Sequence, residues 1–166
     1  MNTWADGSGE SEAYAIRQAR YERQTIEWAN LDAGYEQVTV PTKAHASDAG
    51  WDLYVAQSTE IPPGAFADVP CGVGCALPSG TWGLLTGRSS TLRNRGLLVH
   101  QGVIDEGYRG ELYAGVFNLG SDVAVVETGA RIAQLIVIPM HAHTGVFVDS
   151  LRPGERGARG FGSSGA

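Results

Sequence analysis

From residue 38 onward, short apolar runs alternate with turns rich in Gly, Pro and Ser, and no arrangement except a stack of short strands accommodates that pattern easily. The runs cover residues 38–40, 51–56, 80–85, 97–104, 111–117, 123–127, 132–138 and 146–148. Their spacing predicts an all-β sandwich or barrel, and no internal repeat is visible.

The remainder of the chain reads differently. Residues 1–10 are small and polar, which predicts disorder. Residues 11–31 lack Gly and Pro and are rich in Ala, Arg, Gln and Glu, which predicts a helix. Tyr14, Tyr21 and Trp28 recur every seven residues and would form one apolar stripe, for packing on the core or a neighbouring subunit, or as a less favoured dock for a partner protein. The expected organisation is an N-terminal extension over 1–37, a β domain over 38–150, and a flexible Gly- and Ser-rich arm over 151–166 that carries one aromatic, Phe161.

At 166 residues, 43% hydrophobic and 18% charged, the chain suits one domain with a buried core. No apolar run approaches the roughly 20 residues of a membrane helix, and no basic stretch precedes an apolar one at the start, so the expected compartment is the cytoplasm. Cys71 and Cys75 are four apart in a strand-like stretch, which at ~3.3 Å per residue separates them too far for a disulfide; buried thiols are expected. A net charge of −6 argues against nucleic-acid or anionic-membrane partners. Within that acidic total the cations are almost all Arg, and Lys43 is the only lysine. Guanidinium forks suit phosphate oxygens.

Two stretches carry candidate chemistry on their own residues. Residues 102–118, GVIDEGYRGELYAGVFN, read as a β-hairpin: an apolar strand through Val103 and Ile104, a corner at Gly107, and a return strand over 112–117. Asp105 ends the first strand, three residues before Tyr108, where a carboxylate can act as a general base and an aromatic can pack on a sugar or base; Asp105 reads equally as a turn cap. Arg88, Ser89, Ser90 and Thr91 put a guanidinium and three hydroxyls at a strand end, either an anion cradle or an ordinary Ser/Thr turn beside a solvated Arg. Gln134 is the one long polar residue in the apolar strand 132–138 and must find partners.

Five segments, SDAGWDLYVA (47–56), GRSSTLRNRGL (87–97), the hairpin, TGARIAQLIVIP (128–139) and ERGARGFGSSG (155–165), occur in the order of the trimeric dUTPase family, which this chain resembles over about three-quarters of its length. The resemblance implies a jelly-roll β-barrel, a homotrimer, and hydrolysis of dUTP to dUMP and pyrophosphate by water attack on the α-phosphate. Asp105 matches the residue that orients the attacking water and contacts the 3′-hydroxyl. Tyr108 matches the aromatic beneath the deoxyribose that excludes a 2′-hydroxyl. The hairpin backbone at Gly102, Ile104 and Gly110 would read the uracil edge. Ser89, with Ser90 beside it, matches the serine on the α- and β-phosphates, Arg88 the arginine that positions them, and Gln134 a glutamine near them. Arg156 matches an arginine that reaches the γ-phosphate, and Phe161, followed by Gly162 and Ser163, an aromatic that stacks on uracil when the arm closes over a neighbouring subunit's site. Asp52 matches an aspartate on the metal and phosphate side, an indirect role, because Mg²⁺ would be bound mainly by the triphosphate's own oxygens. Trp51 stands where the family commonly has Tyr.

Two other functions fit parts of the chain. The RSS start of the second segment and LLVH ending at His100 resemble dCTP deaminase, a relative with the same fold, but Gly115 stands where the deaminase carries its catalytic Glu. A nucleotide-gated regulatory protein is the other alternative, supported by the N-terminal segment.

Overall fold

The computed structural model describes residues 25–31, 33–154 and 157–158. The chain is mostly β: β1 (Glu27–Asn30), β2 (Gly50–Tyr54), β3 (Thr59–Ile61), β4 (Phe66–Pro70), β5 (Val73–Ala76), β6 (Thr81–Gly87), β7 (Leu97–Val99), β8 (Gly102–Ile104), β9 (Tyr113–Asn118), β10 (Ala124–Val126) and β11 (Arg131–Pro139). A seven-residue helix, α1 (Ser89–Arg95), lies between β6 and β7. The strands form a four-stranded sheet, β2-β11-β6-β8, a three-stranded sheet, β4-β9-β7, and the pairs β1-β5 and β10-β3. Every pairing is antiparallel.

The core lies between these sheets and is built from inward alternating positions. Leu53, Ile61, Leu97, Leu112, Ile132 and Leu135 are all at most 1% exposed. Asn118 is buried among them because its amide is satisfied: Nδ2 donates to the carbonyls of Ile61 and Asp122, both at 2.8 Å, and Oδ1 accepts from the Gly120 N–H at 2.9 Å.

The hairpin expected over 102–118 does not form. Its two halves are strands of different sheets: β8 pairs with β6, while β9 is hydrogen-bonded to β4 on one side and β7 on the other. With both edges of β9 taken, no ladder is left for β8, and residues 105–112 cross from one sheet to the other. The run 97–104 splits for the same reason into β7 and β8, on separate sheets. Residues 38–40 and 146–148 are not strands. The stretch holding Cys71 and Cys75 breaks at Gly72, whose φ of +68° ends β4's line and turns the chain into β5; both thiols are free and buried.

The helix expected over 11–31 is also corrected where it is described. Residues 27–30 are β1, paired with β5 from Glu27↔Ala76 to Asn30↔Val73. Ile26 and Trp28 pack against the core while Glu27 and Ala29 face out, a period of two that the seven-residue spacing concealed. The open edge of β5 supplies hydrogen bonds that local helix propensity does not outweigh. Trp28 meets Trp51 with ring centroids 5.9 Å apart, and the Lys43 ammonium lies 5.2 Å over the Trp51 ring. The larger indole at 51 thus has two partners, Trp28 and Lys43. Tyr14 and Tyr21 lie outside the described residues.

Candidate functional site

The candidate residues gather at two ends of one strand. At the C-terminal end of β6, the chain leaves the sheet through Arg88 and turns into α1. Arg88 is fixed by its backbone N–H, which donates to Ile132 O at 3.1 Å, and by its guanidinium, whose Nε lies 2.7 Å from Asp52 Oδ1 and whose Nη1 donates to Arg131 O at 3.2 Å. The second oxygen of Asp52 takes Arg131 Nη1 at 3.1 Å. A register shift between Arg131 and Ala133 sends Ile132 into the core and aims its carbonyl at α1, where it also accepts from the Thr91 hydroxyl at 2.7 Å. Asp52 is only 8% exposed, so it is a nearly buried carboxylate clamped between two partly exposed guanidiniums.

Gln134 sits between Asp52 and Thr86, its partners on β2 and β6. Its Nε2 donates to Gly87 O at 3.0 Å, which answers the question of how that amide is satisfied. Gly50 makes room for it: a Cβ there would lie 2.9 Å from Gln134 Cδ. Together Asp48, Gly50, Asp52, Arg88, Ser89 and Gln134 line a depression of about 260 Å³. Ser89 and Ser90 are exposed in the first turn of α1, where backbone N–H groups have no intrahelical acceptor. Arg88 and Arg131 both engage Asp52, and with Asp48 also lining the depression the local charges balance, so what this end of the sheet offers an anion is guanidinium and hydroxyl donors and not a net positive charge.

At the other end, β8 delivers Ile104 opposite Gly83 and Gly102 opposite Leu85. Asp105 follows, exposed, at the start of a turn closed by Tyr108 N–H donating to Asp105 O at 3.0 Å. The Tyr108 hydroxyl donates to Glu111 O at 2.7 Å and the ring folds over Gly110, where a Cβ would lie 2.7 Å from Tyr108 Cζ. Glycine at 110 is therefore required for this aromatic to lie flat. Arg109 Nη1 ties the turn internally, donating to Glu106 O at 2.7 Å and Tyr108 O at 2.8 Å, and Glu106 Oε2 accepts from Gly80 N–H at 2.9 Å.

The two clusters are not brought together within one chain. Gly83, opposite Ile104, precedes Arg88 by five residues on an extended strand, so the Asp105 turn and the Arg88 cluster lie about 17 Å apart at ~3.4 Å per residue. His100 is exposed, with its N–H donating to Gly115 O at 2.7 Å. Gly115 itself is buried under Phe66, where a Cβ would lie 2.9 Å from two ring atoms. Arg156, Phe161, Gly162 and Ser163 lie outside the described residues.

A family-wide profile for dUTPase matches residues 36–165. The chain belongs to the dUTPase family. Curated relatives include the deoxyuridine 5′-triphosphate nucleotidohydrolase of Gloeobacter violaceus, 42% identical over 130 residues (76% of this chain and 88% of that one), and the protein of the same name from Leifsonia xyli, 42% identical over 132 residues (76% and 85%). Among solved structures, the Staphylococcus bacteriophage 80alpha dUTPase with dUPNHPP superimposes with a TM-score of 0.78 at 27% identity, covering 87% of this chain and all of that one.

Three residues that contact the candidate residues or their segments were not singled out by their sequence: Arg131, Glu111 and Tyr35. Arg131 lies within the fourth segment and Glu111 within YRGE, so position relative to a motif was the available signal. Tyr35 precedes every motif, and its contact with Glu111 spans 76 residues, a distance no local pattern reports.

Proposed function

We propose that this chain is a dUTP diphosphatase that hydrolyses dUTP to dUMP and pyrophosphate by water attack on the α-phosphorus. The observation that carries the reading is the pairing of an exposed carboxylate-and-aromatic turn, Asp105 to Tyr108, with an anion-facing arginine and serine cluster, in a member of the dUTPase family. Asp105 orients the attacking water and takes its proton; Tyr108 underlies the deoxyribose; the backbone of Gly102, Ile104 and Gly110 reads uracil. Arg88, Ser89, Ser90 and Gln134 receive the phosphates, and preorganised guanidinium charge offsets what develops there as the α–β bridge breaks. Arg156, Phe161, Gly162 and Ser163 complete the site when the arm closes.

The reading includes a homotrimer of jelly-roll subunits. Two observations support more than one copy. The Asp105 turn and the Arg88 cluster of one chain stand at opposite ends of β6, so sites shared between copies would bring the two halves closer than one chain does. Phe66, Phe117 and Leu98 are cross-strand neighbours on β4, β9 and β7, 47%, 38% and 42% exposed, with the two rings 4.8 Å apart; they form an outward apolar row of the kind that subunit contacts cover.

Mg²⁺ belongs to the reading as a companion of the triphosphate. Among the described residues no group of three or more His, Cys, Asp or Glu could hold a metal, and both oxygens of Asp52 are engaged by arginines. The fit is to a cation carried by phosphate oxygens, which when bound neutralises phosphate charge. The deaminase alternative is disfavoured by buried Gly115, which has no carboxylate to offer. The test is turnover of dUTP and dCTP with pyrophosphate and ammonia both measured. Pyrophosphate from dUTP alone is expected; ammonia from dCTP overturns the reading.

A further inference from the structure

Glu111 collects three donors. Its Oε1 accepts from Gly72 N–H at 2.9 Å, and its Oε2 accepts from the Tyr35 and Tyr113 hydroxyls, each at 2.7 Å. The two phenols stand 3.3 Å apart, so they converge on one oxygen. The Glu111 carbonyl, one peptide away from this anchored side chain, is the acceptor of the Tyr108 hydroxyl. The same segment rests directly on β5: a Cβ at Gly74 would lie 3.0 Å from Gly110 O and 3.3 Å from Arg109 O. A continuous set of contacts therefore runs from Tyr35, ahead of every motif, through the Glu111 carboxylate and its backbone, to the Tyr108 ring.

We propose that Tyr35 is a positioning residue for sugar selection, its hydroxyl acting through Glu111 to hold Tyr108 where a 2′-substituent is refused. The inference rests on the dUTP diphosphatase reading and adds to it a residue that lies outside every motif and acts through Glu111. A ring held at one end by a hydrogen bond can yield by a rotation when the acceptor moves, and a yielding ring discriminates poorly against one extra hydroxyl. The ring lies directly on the Gly110 backbone, so its place depends on the 108–111 segment that the Glu111 side chain anchors. The hydrogen bond with Tyr113, then burial and the Glu111 carboxylate, raise the Tyr35 pKa above its ordinary value, so the phenol stays a donor throughout the neutral range.

The test compares kcat/KM for dUTP and UTP in the unaltered protein, Tyr35→Phe, Glu111→Gln and, as a control for simple loss of stability, Ile61→Val in the core far from the turn. The dUTP/UTP ratio is expected to fall at least about 5-fold in Tyr35→Phe and Glu111→Gln, through KM more than kcat, while Ile61→Val lowers Tm and leaves the ratio unchanged. A ratio within twofold of the unaltered protein in Tyr35→Phe, with normal dUTP turnover, overturns this proposal alone. Absence of dUTP turnover in the unaltered protein overturns the functional reading and this proposal with it.

Discussion

Asp52 and Arg88 meet at 2.7 Å across β11, the strand that separates β2 from β6 in the sheet. The carboxylate is nearly buried, and the guanidinium reaches out from it toward the depression lined by Ser89 and Gln134. Asp52 is thus a holder of arginines, and it determines how much positive charge the cluster presents and in what direction.

Replacing Asp52 by Asn keeps the shape and removes the charge that both Arg88 and Arg131 use. Because each arginine is partly exposed and can turn to water, the expected destabilisation is about 1–3 kcal/mol, below that of a fully buried pair. The urea midpoint reads it. KM for dUTP should rise together with the loss, since Arg88 is no longer held toward the phosphates. An unchanged midpoint and unchanged KM would contradict the role given to this carboxylate.

The separation of Asp105 from Arg88 makes a second expectation. Asp105→Asn cannot accept the water's proton and should lower kcat at least about 100-fold; Arg88→Ala should lose a similar factor by releasing the phosphates. If the Asp105 turn of one copy works with the Arg88 cluster of another, unfolding the two inactive variants together and refolding them as mixed assemblies restores sites in which both halves are intact. Random mixing in equal amounts should return about a quarter of the unaltered activity. No recovery above the separate variants would mean that each site lies within one chain.

Much of this arrangement was legible in the chain and some was not, for physical reasons. β2, β6, β9 and β11 announce themselves because their apolar positions alternate or run continuously between turn residues. β3, β4 and β5 read poorly: TEI is three residues with a central Glu, FADVP carries Asp and Pro, and VGCA is small, so these strands exist through their partners and not through local preference. α1 was hidden in a Ser- and Arg-rich stretch read as a turn. Its end was written more clearly than its start, since Gly96, at φ +63°, closes it and Arg93 and Arg95 occupy the last turn. The motif residues Arg88, Ser89, Asp105, Tyr108 and Gln134 could be picked out, but the division of them between two ends of β6 could not, because it depends on β8 pairing with β6 and not with β9.

The buried thiols predict an alkaline limit. Burial, reinforced by the Glu111 carboxylate, pushes the Cys71 thiol from its ordinary 9.0 up to about 12, and burial also raises Cys75 against the opposing charge of Arg109. Below pH 9 folded and unfolded chains both hold these protons, so stability is intact. Above pH 9 the unfolded chain releases them while the folded chain keeps them, and stability falls as pH rises toward 12, by about 1.4 kcal/mol per pH unit for each fully affected thiol. Urea midpoints between pH 8 and 10 should decline in the unaltered protein and decline less in Cys71→Ala, Cys75→Ala. Equal slopes would show that the thiols are accessible to hydroxide in the folded state.

Base selection gives the last prediction. The turn backbone at Gly102, Ile104 and Gly110 presents fixed N–H and C=O groups, and cytosine reverses the donor and acceptor order at the two positions that separate it from uracil. Left unpaired in a closed site, those groups cost several kcal/mol, so kcat/KM for dUTP should exceed that for dCTP by at least about 100-fold. Neither substrate should release ammonia: Gly115 lies under the Phe66 ring, on a strand enclosed on both edges, and a carboxylate cannot reach the base from there. His100 is the residue that could alter this outcome, because it is exposed and its backbone is hydrogen-bonded to Gly115. His100→Ala should leave the dUTP/dCTP ratio within about threefold, since the imidazole adds no donor to the backbone groups proposed to read the base. Ammonia release from dCTP that disappears in His100→Ala would instead assign the imidazole to deamination chemistry and reverse the preference argued for this site.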